Sequence, residues 1–566
     1  MESSTTLPST LRDCLALADK QLFKPHHPRA SALAISFYRQ AVELAPDRSD
    51  VRLSLARAYY LLGQNEEAIA TINGTLARHP EAVEARLLRC LYQIPIVYRD
   101  AVGVIASRAA YREHLERLVM DLAAANATTL TRLATWSGRM SPSYLPYQGE
   151  NDVALQRTYG ALMGRAMALA YPAWASTPML PPPAPGEPLR VGFVSGRFRN
   201  HVDWHAIIRG WLTALDPDRF AVSGYMLDDQ QDECTNEARR YCVRFTVGHR
   251  SLSDWCETIR ADRPHLLIYP EIGQCWPATR LAMLRLAPVQ CVAGGRCVTS
   301  GLPTMDYFLG SDAMEPADGD AHYSERLVRL PNLAYIYRRP PLHAVRRDRE
   351  EFGLRAGAVV YLSPHTLLKY LPQHDDLYPR IAERVGDCQF VFVRHPTTEA
   401  LTLQFERRIV AAFSARGLDW RRHVRLLPHM EEEDYNDIQA LADVYLDAIG
   451  WNGGTTTATA LGYDLPVVTL AGPVFRGRMG MAMLRHVGVP DTVAATPDDY
   501  VTIAIRLGQD EAWRRAMRER IAHGKHRLYD DPSRAAALAT FLEEVGRGQT
   551  TSTIAPFAAN SSAVCD

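Results

Sequence analysis

Residues 443–461 read DVYLDAIGWNGGTTTATAL. Val444, Tyr445 and Leu446 form a short apolar run that ends at Asp447. Gly450, Gly453 and Gly454 then open the backbone, and Thr455, Thr456 and Thr457 start a new helical pattern. A strand, a glycine turn and a helix start together make a phosphate cradle. The first helical turn leaves N–H groups unpaired, and the helix dipole is positive there. A diphosphate can take those N–H groups as donors. Read blandly, the same residues are an ordinary strand–turn–helix with a threonine cap. Two further patterns could do chemistry. His201 and His205 in FRNHVDWH stand four apart, a spacing that one metal could bridge, but no third ligand lies nearby. Asp318 and Asp320 form a D-x-D in EPADGDAHYSE, with no strand leading into it, which argues against a metal motif.

The elements that must position such residues fall in a clear order. Residues 30–95 repeat with a period of 34, setting Pro46 against Pro80 and Leu53 against Leu87. Ala41, Ala45, Ala56, Ala58 and Ala68 recur at helical spacing. This is the tetratricopeptide period, with two antiparallel helices per unit. Two units are fewer than a free-standing array needs, so they are expected to pack against something larger. They serve either as a helical prop or as a groove for a protein acceptor. Residues 98–175 continue as helix, and TPMLPPPAPGEP over 177–188 is a proline-rich linker.

Beyond the linker, apolar runs alternate with amphipathic stretches. Strand candidates are RVGFV, FAVSGYML, HLLIYPEI, VQCVAGG and MDYFLGS, then AVVYLSP, QFVFVRHP, HVRLLPHM, ADVYLDAIG and PVVTLAG. Such alternation means parallel α/β sheets. The expected fold is α/β, with two Rossmann-like domains facing a cleft behind an all-α, tetratricopeptide-like domain. The expected boundaries are 1–176 helical, 177–188 linker, 189–345 and 355–545 for the two halves, and 546–566 for a disordered tail. Ligands bind at the carboxyl ends of strands in such sheets.

The 566 residues carry 63 basic and 64 acidic side chains, so no global field points to nucleic acid or an anionic membrane. No apolar run approaches a membrane span, and the first residues lack a secretory pattern. Ten cysteines without a CxxC suit reduced thiols. The expected location is the cytoplasm.

The stretches RVGFVSGRFRNH, RLAPVQ, VTSGLPTMDYFLGSDAMEP, HYSERLVRLP, LLKYLPQHDD, LADVYLD, NGGTT and LPVVTLAGPVFRGR carry a resemblance. In this order, behind helical repeats, they resemble the protein O-GlcNAc transferases of glycosyltransferase family 41, the bacterial SPINDLY-like members above all. The resemblance implies a GT-B fold, a nucleotide-sugar donor and an inverting, metal-independent transfer to protein side chains. It needs no cofactor beyond the donor. Lys369 matches the family's phosphate-contacting lysine, and His201 its active-site histidine. Asp262 and His265 sit where the family has D-x-x-H. Thr299, Ser300 and Gly301 match its T-S-G loop beside the donor. His429 and Met430 match the place where backbone holds the base, with Tyr435 near the same ring. Gly453, Gly454, Thr455 and Thr456 form the helix start. Glu271, at the far end of HLLIYPEI, is a candidate acceptor-side base, and His265 a candidate catalytic residue.

The chain also departs from the pattern. Gly454-Thr455-Thr456 stands where many members have His-Thr-Thr, and Thr459 stands where many carry a ribose-binding aspartate. The reading is transfer of GlcNAc from UDP-GlcNAc to Ser or Thr of proteins. UDP-glucose to Asn and GDP-fucose to Ser or Thr are alternatives within the resemblance. A repeat scaffold with a degenerate transferase half is the alternative outside it. A soluble fragment from about residue 180 is expected to keep donor hydrolysis and lose protein transfer.

Overall fold

The computed structural model describes residues 10–22, 30–333, 335–340, 344–529 and 533–548. The chain divides into two compact units, Met1–Ala125 with Ala344–Ala448, and Asn126–His343 with Ile449–Asp566. This division cuts the helical stretch between Ala125 and Asn126.

The first unit opens on helices Leu11–Leu22, Ala30–Leu44, Ser49–Leu61, Asn65–Arg78 and Val83–Leu91. Ala34, Ala41, Ala56, Ala58 and Ala68 are fully buried, and their small side chains let the helices approach closely. The repeat is visible in a bond: Arg52 Nε donates to the Pro46 carbonyl at 2.9 Å, and Arg86 Nε to the Pro80 carbonyl at 3.1 Å. The same contact recurs 34 residues on. Helix Ala101–Asp121 completes this part.

The chain then builds the second unit. Helices Ala127–Trp136 and Val153–Ala170 precede seven strands. These are β1 Leu189–Ser195, β2 Phe220–Met226, β3 Arg244–Val247, β4 Leu266–Tyr269, β5 Val289–Ala293, β6 Tyr307–Ser311 and β7 Arg326–Leu330. They pair in the order β3-β2-β1-β4-β5-β6-β7, all parallel. β1, β4 and β5 read as near-continuous apolar runs because helices cover both faces of a parallel sheet.

Back in the first unit come β8 Val359–Leu362, β9 Cys388–Val393, β10 Val424–Leu427 and β11 Val444–Leu446. Their order is β10-β9-β8-β11, again parallel. Tyr361, Tyr370, Tyr378, Phe390, Phe392, Phe405 and Phe413 pack ring on ring against this sheet. The second unit ends with the parallel pair β12 Val467–Leu470 and β13 Val493–Ala494 and their helices. In each sheet the strand order reverses once, between β1 and β4 and between β8 and β11. Those switch points are where open α/β sheets bind ligands. The disordered tail expected over 546–566 falls, from residue 549 on, outside the described residues.

Candidate active site

At the β1/β4 switch point, Glu271 follows β4 and meets the end of β1. Both carboxylate oxygens lie 2.8 Å from the Ser195 hydroxyl, and Oε1 accepts the Gly196 N–H at 2.7 Å. The Ser195 oxygen accepts the Arg197 N–H at 2.8 Å. The loop after β1 is held twice more: the Thr235 hydroxyl donates to the Phe198 carbonyl at 2.6 Å, and the Asn200 N–H to Asp232 at 2.6 Å. His201 sits at the end of this loop with its side chain 26% exposed. Its Nδ1 accepts the Asp203 N–H at 3.1 Å, and the Asp203 carboxylate lies 3.4 Å from the same nitrogen. With Nδ1 used as an acceptor, the proton of the neutral ring belongs on Nε2. Burial, then the charges of Arg197, Arg199 and His205, push the His201 pKa down to about 4, so the ring is neutral at pH 7. This arrangement suits a hydrogen-bond donor better than a base.

Three sequence expectations change here. Glu271 is fully buried, so it cannot serve as a base that meets an acceptor; its oxygens hold the loop instead. His265 precedes β4 and so lies at the amino edge of the sheet, opposite His201. Its Nδ1 accepts the Arg190 N–H at 3.1 Å, and Asp262 accepts the Tyr225 hydroxyl at 3.0 Å. This D-x-x-H is a structural tie. The Thr299 hydroxyl is buried and donates to Glu325 at 2.6 Å; the Ser300 N–H reaches the same carboxylate at 2.8 Å, and its hydroxyl also binds there. Gly301, at φ +70°, lets helix Val153–Ala170 seat on the loop, where a Cβ would come 2.1 Å from the Gln156 carbonyl.

At the β8/β11 switch point, a short turn Leu367–Lys369 puts Lys369 at the carboxyl edge. His365, buried between them, accepts the Ala448 N–H on Nε2 at 3.1 Å, with Asp447 3.5 Å away. Behind the turn, Arg408 binds Asp375 at 2.8 and 2.7 Å, the Tyr370 carbonyl at 2.8 Å and the Tyr98 carbonyl at 3.0 Å. After β10 come exposed His429 and half-buried Met430, then Tyr435 on the first turn of helix Glu432–Leu441. Burial raises the Tyr435 hydroxyl pKa. All of these residues belong to the first unit.

In the second unit, helix Thr455–Gly462 starts from Gly454, which has no side chain to cap the first-turn N–H groups. Thr455 is exposed. The Thr456 and Thr457 hydroxyl oxygens are buried and take no hydrogen bond among the described residues. Thr459 donates to the Thr455 carbonyl of its own helix at 2.9 Å. The glycine loop is sewn in place: Asn452 N–H donates to the Arg476 carbonyl at 2.8 Å, and its side-chain oxygen accepts the Gly480 N–H at 3.3 Å. Buried Arg476 in turn donates to the Pro146 carbonyl at 2.7 Å, the Glu150 carbonyl at 2.6 Å and the Asp152 carboxylate at 2.8 Å. Tyr147 stacks on Trp451 at 4.4 Å.

Sequence reasoning missed Glu325, Asp203, Arg476 and Arg408. Asp203 and Glu325 lie inside or beside motifs that were read, but nothing in one sequence says which partner each takes.

The pattern of glycosyl transferase family 41 matches residues 144–340 and 337–531, across both sheets and more than half of the chain. The chain belongs to glycosyl transferase family 41. A tetratricopeptide repeat matches residues 30–89 of this family 41 chain. It is similar to the probable UDP-N-acetylglucosamine–peptide N-acetylglucosaminyltransferase SPINDLY of Solanum lycopersicum, 28% identical over 344 residues, 58% of this chain and 35% of that protein. The Arabidopsis thaliana protein of the same name is 27% identical over 344 residues, 58% of this chain and 36% of that protein. The chain thus spans about a third of the length of these curated relatives. Among solved structures, a mutant of Thermobaculum terrenum O-GlcNAc transferase matches with TM-score 0.67 and 21% identity, over 95% of this chain and 98% of that one. That likeness concerns the fold: helical repeats followed by two Rossmann-like domains, as GT-B enzymes have. Among the described residues no helix is long and apolar enough to cross a membrane, and no group of three or more His, Cys, Asp or Glu could hold a metal.

Proposed function

We propose that this chain is an inverting, metal-independent glycosyltransferase that moves GlcNAc from UDP-GlcNAc to Ser or Thr of protein acceptors in the cytoplasm. The observation that carries the reading is the family 41 match across both sheets, with Lys369 at the carboxyl edge of β8 inside its motif. The names of the matched relatives support the donor and the acceptor class. As the sugar leaves, negative charge grows on the diphosphate. A lysine can meet that charge without a metal ion, and an uncapped helix start offers N–H donors to a phosphate. Lys369 takes the first role, and Gly453, Gly454, Thr455 and Thr456 the second. Met430 and Tyr435 hold the base, and His201 orients the reacting groups by donating from Nε2. The roles of Lys369, Met430 and Tyr435 rest on their motifs.

Thr459 favours a second reading. Its hydroxyl is spent on its own helix, where many relatives of this type would offer a carboxylate to ribose. A weakened or changed donor preference follows, with UDP-glucose or GDP-fucose as donor, or a repeat scaffold that no longer transfers. Titration calorimetry with UDP and GDP, and transfer of labelled sugar to lysate proteins with and without EDTA, test both. UDP binding and chelator-resistant GlcNAc transfer are expected. GDP binding alone would overturn the donor, manganese-restored activity would overturn the metal-independent step, and binding of neither nucleotide would leave the scaffold.

A further inference from the structure

We propose that Glu271 is a positioning residue for His201. Its carboxyl clamps the turn 195–197, where the loop that carries His201 begins, and so presents Nε2 of the ring. The inference rests on the proposed role of His201.

Glu271 is wholly buried and holds the start of the loop that leads to His201. At the start it takes the Gly196 N–H at 2.7 Å and the Ser195 hydroxyl at 2.8 Å. The charge of Asp203, further along the loop, bears on the Glu271 carboxyl. Asp203 supplies the N–H that fixes Nδ1 of His201 at 3.1 Å. The space allowed is tight: a Cβ on Gly196 would lie 3.1 Å from Cys275 Sγ and 3.9 Å from Glu271 Oε1. The groups that face Glu271 are Ser195, Arg197 and Asp203 from the β1 side and Cys275 from the segment before helix Trp276–Ala282. Arg197 favours a charged Glu271. The Ser195 and Gly196 hydrogen bonds favour it too, but burial, then Asp203, oppose it and prevail, so the carboxyl is held above the usual carboxylate range. A neutral carboxyl keeps an acceptor oxygen for the Gly196 N–H and the Ser195 hydroxyl. An ionised one would add a second charge near Asp203 and disturb the loop that carries His201.

Glutamine copies the neutral carboxyl, with one acceptor and one donor in the same places. The test measures kcat and donor KM from about pH 6 to about pH 9 for His201→Ala, Glu271→Ala and Glu271→Gln, with a melting curve for each. Expected is a loss of roughly a hundredfold in kcat for Glu271→Ala, with donor KM nearly unchanged, as for other misplaced catalytic groups. Glu271→Gln should rescue most of that loss at neutral pH and flatten the fall in kcat at alkaline pH. If His201→Ala turns over normally, the proposed role of His201 falls and this inference with it. If His201→Ala is impaired and folded Glu271→Ala is not, the inference alone falls. Should Glu271→Ala not fold, Glu271→Gln decides: an alkaline limb retained unchanged overturns the clamp.

Discussion

Lys369 follows β8 by a single turn, where a strand end delivers a side chain to the switch point. Its charge matters most when the diphosphate is most negative, in the transition state. Lys369→Ala should therefore lower kcat by roughly a hundredfold, about 3 kcal/mol in the barrier, and move donor KM far less. Steady-state kinetics at saturating acceptor check this; near-normal turnover would remove Lys369 from the reaction. Glu315 gives a prediction of another kind. It accepts the Tyr323 hydroxyl at 2.7 Å, and its other oxygen, buried with no hydrogen-bond partner among the described residues, would lie 2.8 Å from a Cβ on Gly319. Burial raises its pKa from an ordinary 4.5 to about 8. Between these values the folded chain holds a proton that the unfolded chain has released. Its contribution to stability is full below the lower value and is lost as pH rises through the upper one. Glu315→Gln should flatten that decline, read as Tm against pH in both proteins. Gly319 is the middle of the D-x-D, whose Asp320 is paired with Arg329 at 3.0 Å while Asp318 is exposed. At this scale the sequence was partly legible. His265 precedes its strand, so the residue order alone already set it on the edge away from the ligand side. The Glu325 partner of Thr299 and Ser300 arrives about two dozen residues later, and nothing local announces it.

Single elements show why the fold was easier to read than the site. Parallel strands covered on both faces are short apolar runs, and RVGFV, HLLIY, FVFV and VVTL each carry that mark. β3, four residues long with Arg244 exposed and the rest half-buried, and β13, only two residues long, carry none. The repeats were legible because the helices keep their period: Pro46 and Pro80 take the same arginine contact. Helix Glu399–Ser414 was legible as a helix but not as a hub. Its Leu401 packs where a Cβ on Gly63 would be, 2.9 Å away, and Gln404 donates to the Val97 carbonyl at 2.9 Å. Its Arg408 ties the repeat helices to Asp375 and Tyr370, immediately after Lys369. Lysine cannot reach four acceptors in two directions, and alanine leaves Asp375 buried without its cation. Arg408→Ala should cost about 3 kcal/mol of stability. Arg408→Lys should stay folded yet lose turnover, because the Tyr370 carbonyl and with it the lysine turn are freed. Melting curves and kcat together check this; an Arg408→Lys enzyme with normal kcat would show that the turn holds itself.

Across the whole chain, the proline linker over 177–188 looks like the place to cut, and from the sequence alone a fragment from about residue 180 is expected to stay soluble and hydrolyse donor. The packing inside the second unit argues the reverse. Helix Val153–Ala170 buries Leu155, Tyr159, Leu162, Met163, Ala166 and Met167. Its Gly160 lies so close to the 299–301 loop that a Cβ would stand 2.1 Å from the Gly301 carbonyl, and Arg157 donates to the Tyr323 carbonyl at 3.1 Å. Asp152 is the carboxylate partner of Arg476, whose side chain is only 3% exposed and whose own carbonyl takes the Asn452 N–H of the glycine loop. A cut at residue 180 strips an apolar face and leaves a buried guanidinium unpaired. The second loss alone is worth about 3–5 kcal/mol, a large part of a domain's stability. A fragment from residue 180 should therefore be insoluble or molten, with no donor hydrolysis to measure. A cut at residue 126 keeps every one of these contacts. It instead removes Tyr98 from Arg408 and uncovers Leu371 and Leu401 in the first unit. That fragment should keep a second unit resistant to protease while residues 344–448 become susceptible. Limited proteolysis and melting of the two fragments side by side decide the matter. A fragment from residue 180 that melts cooperatively at the full-length temperature would refute it and restore the linker as the domain boundary.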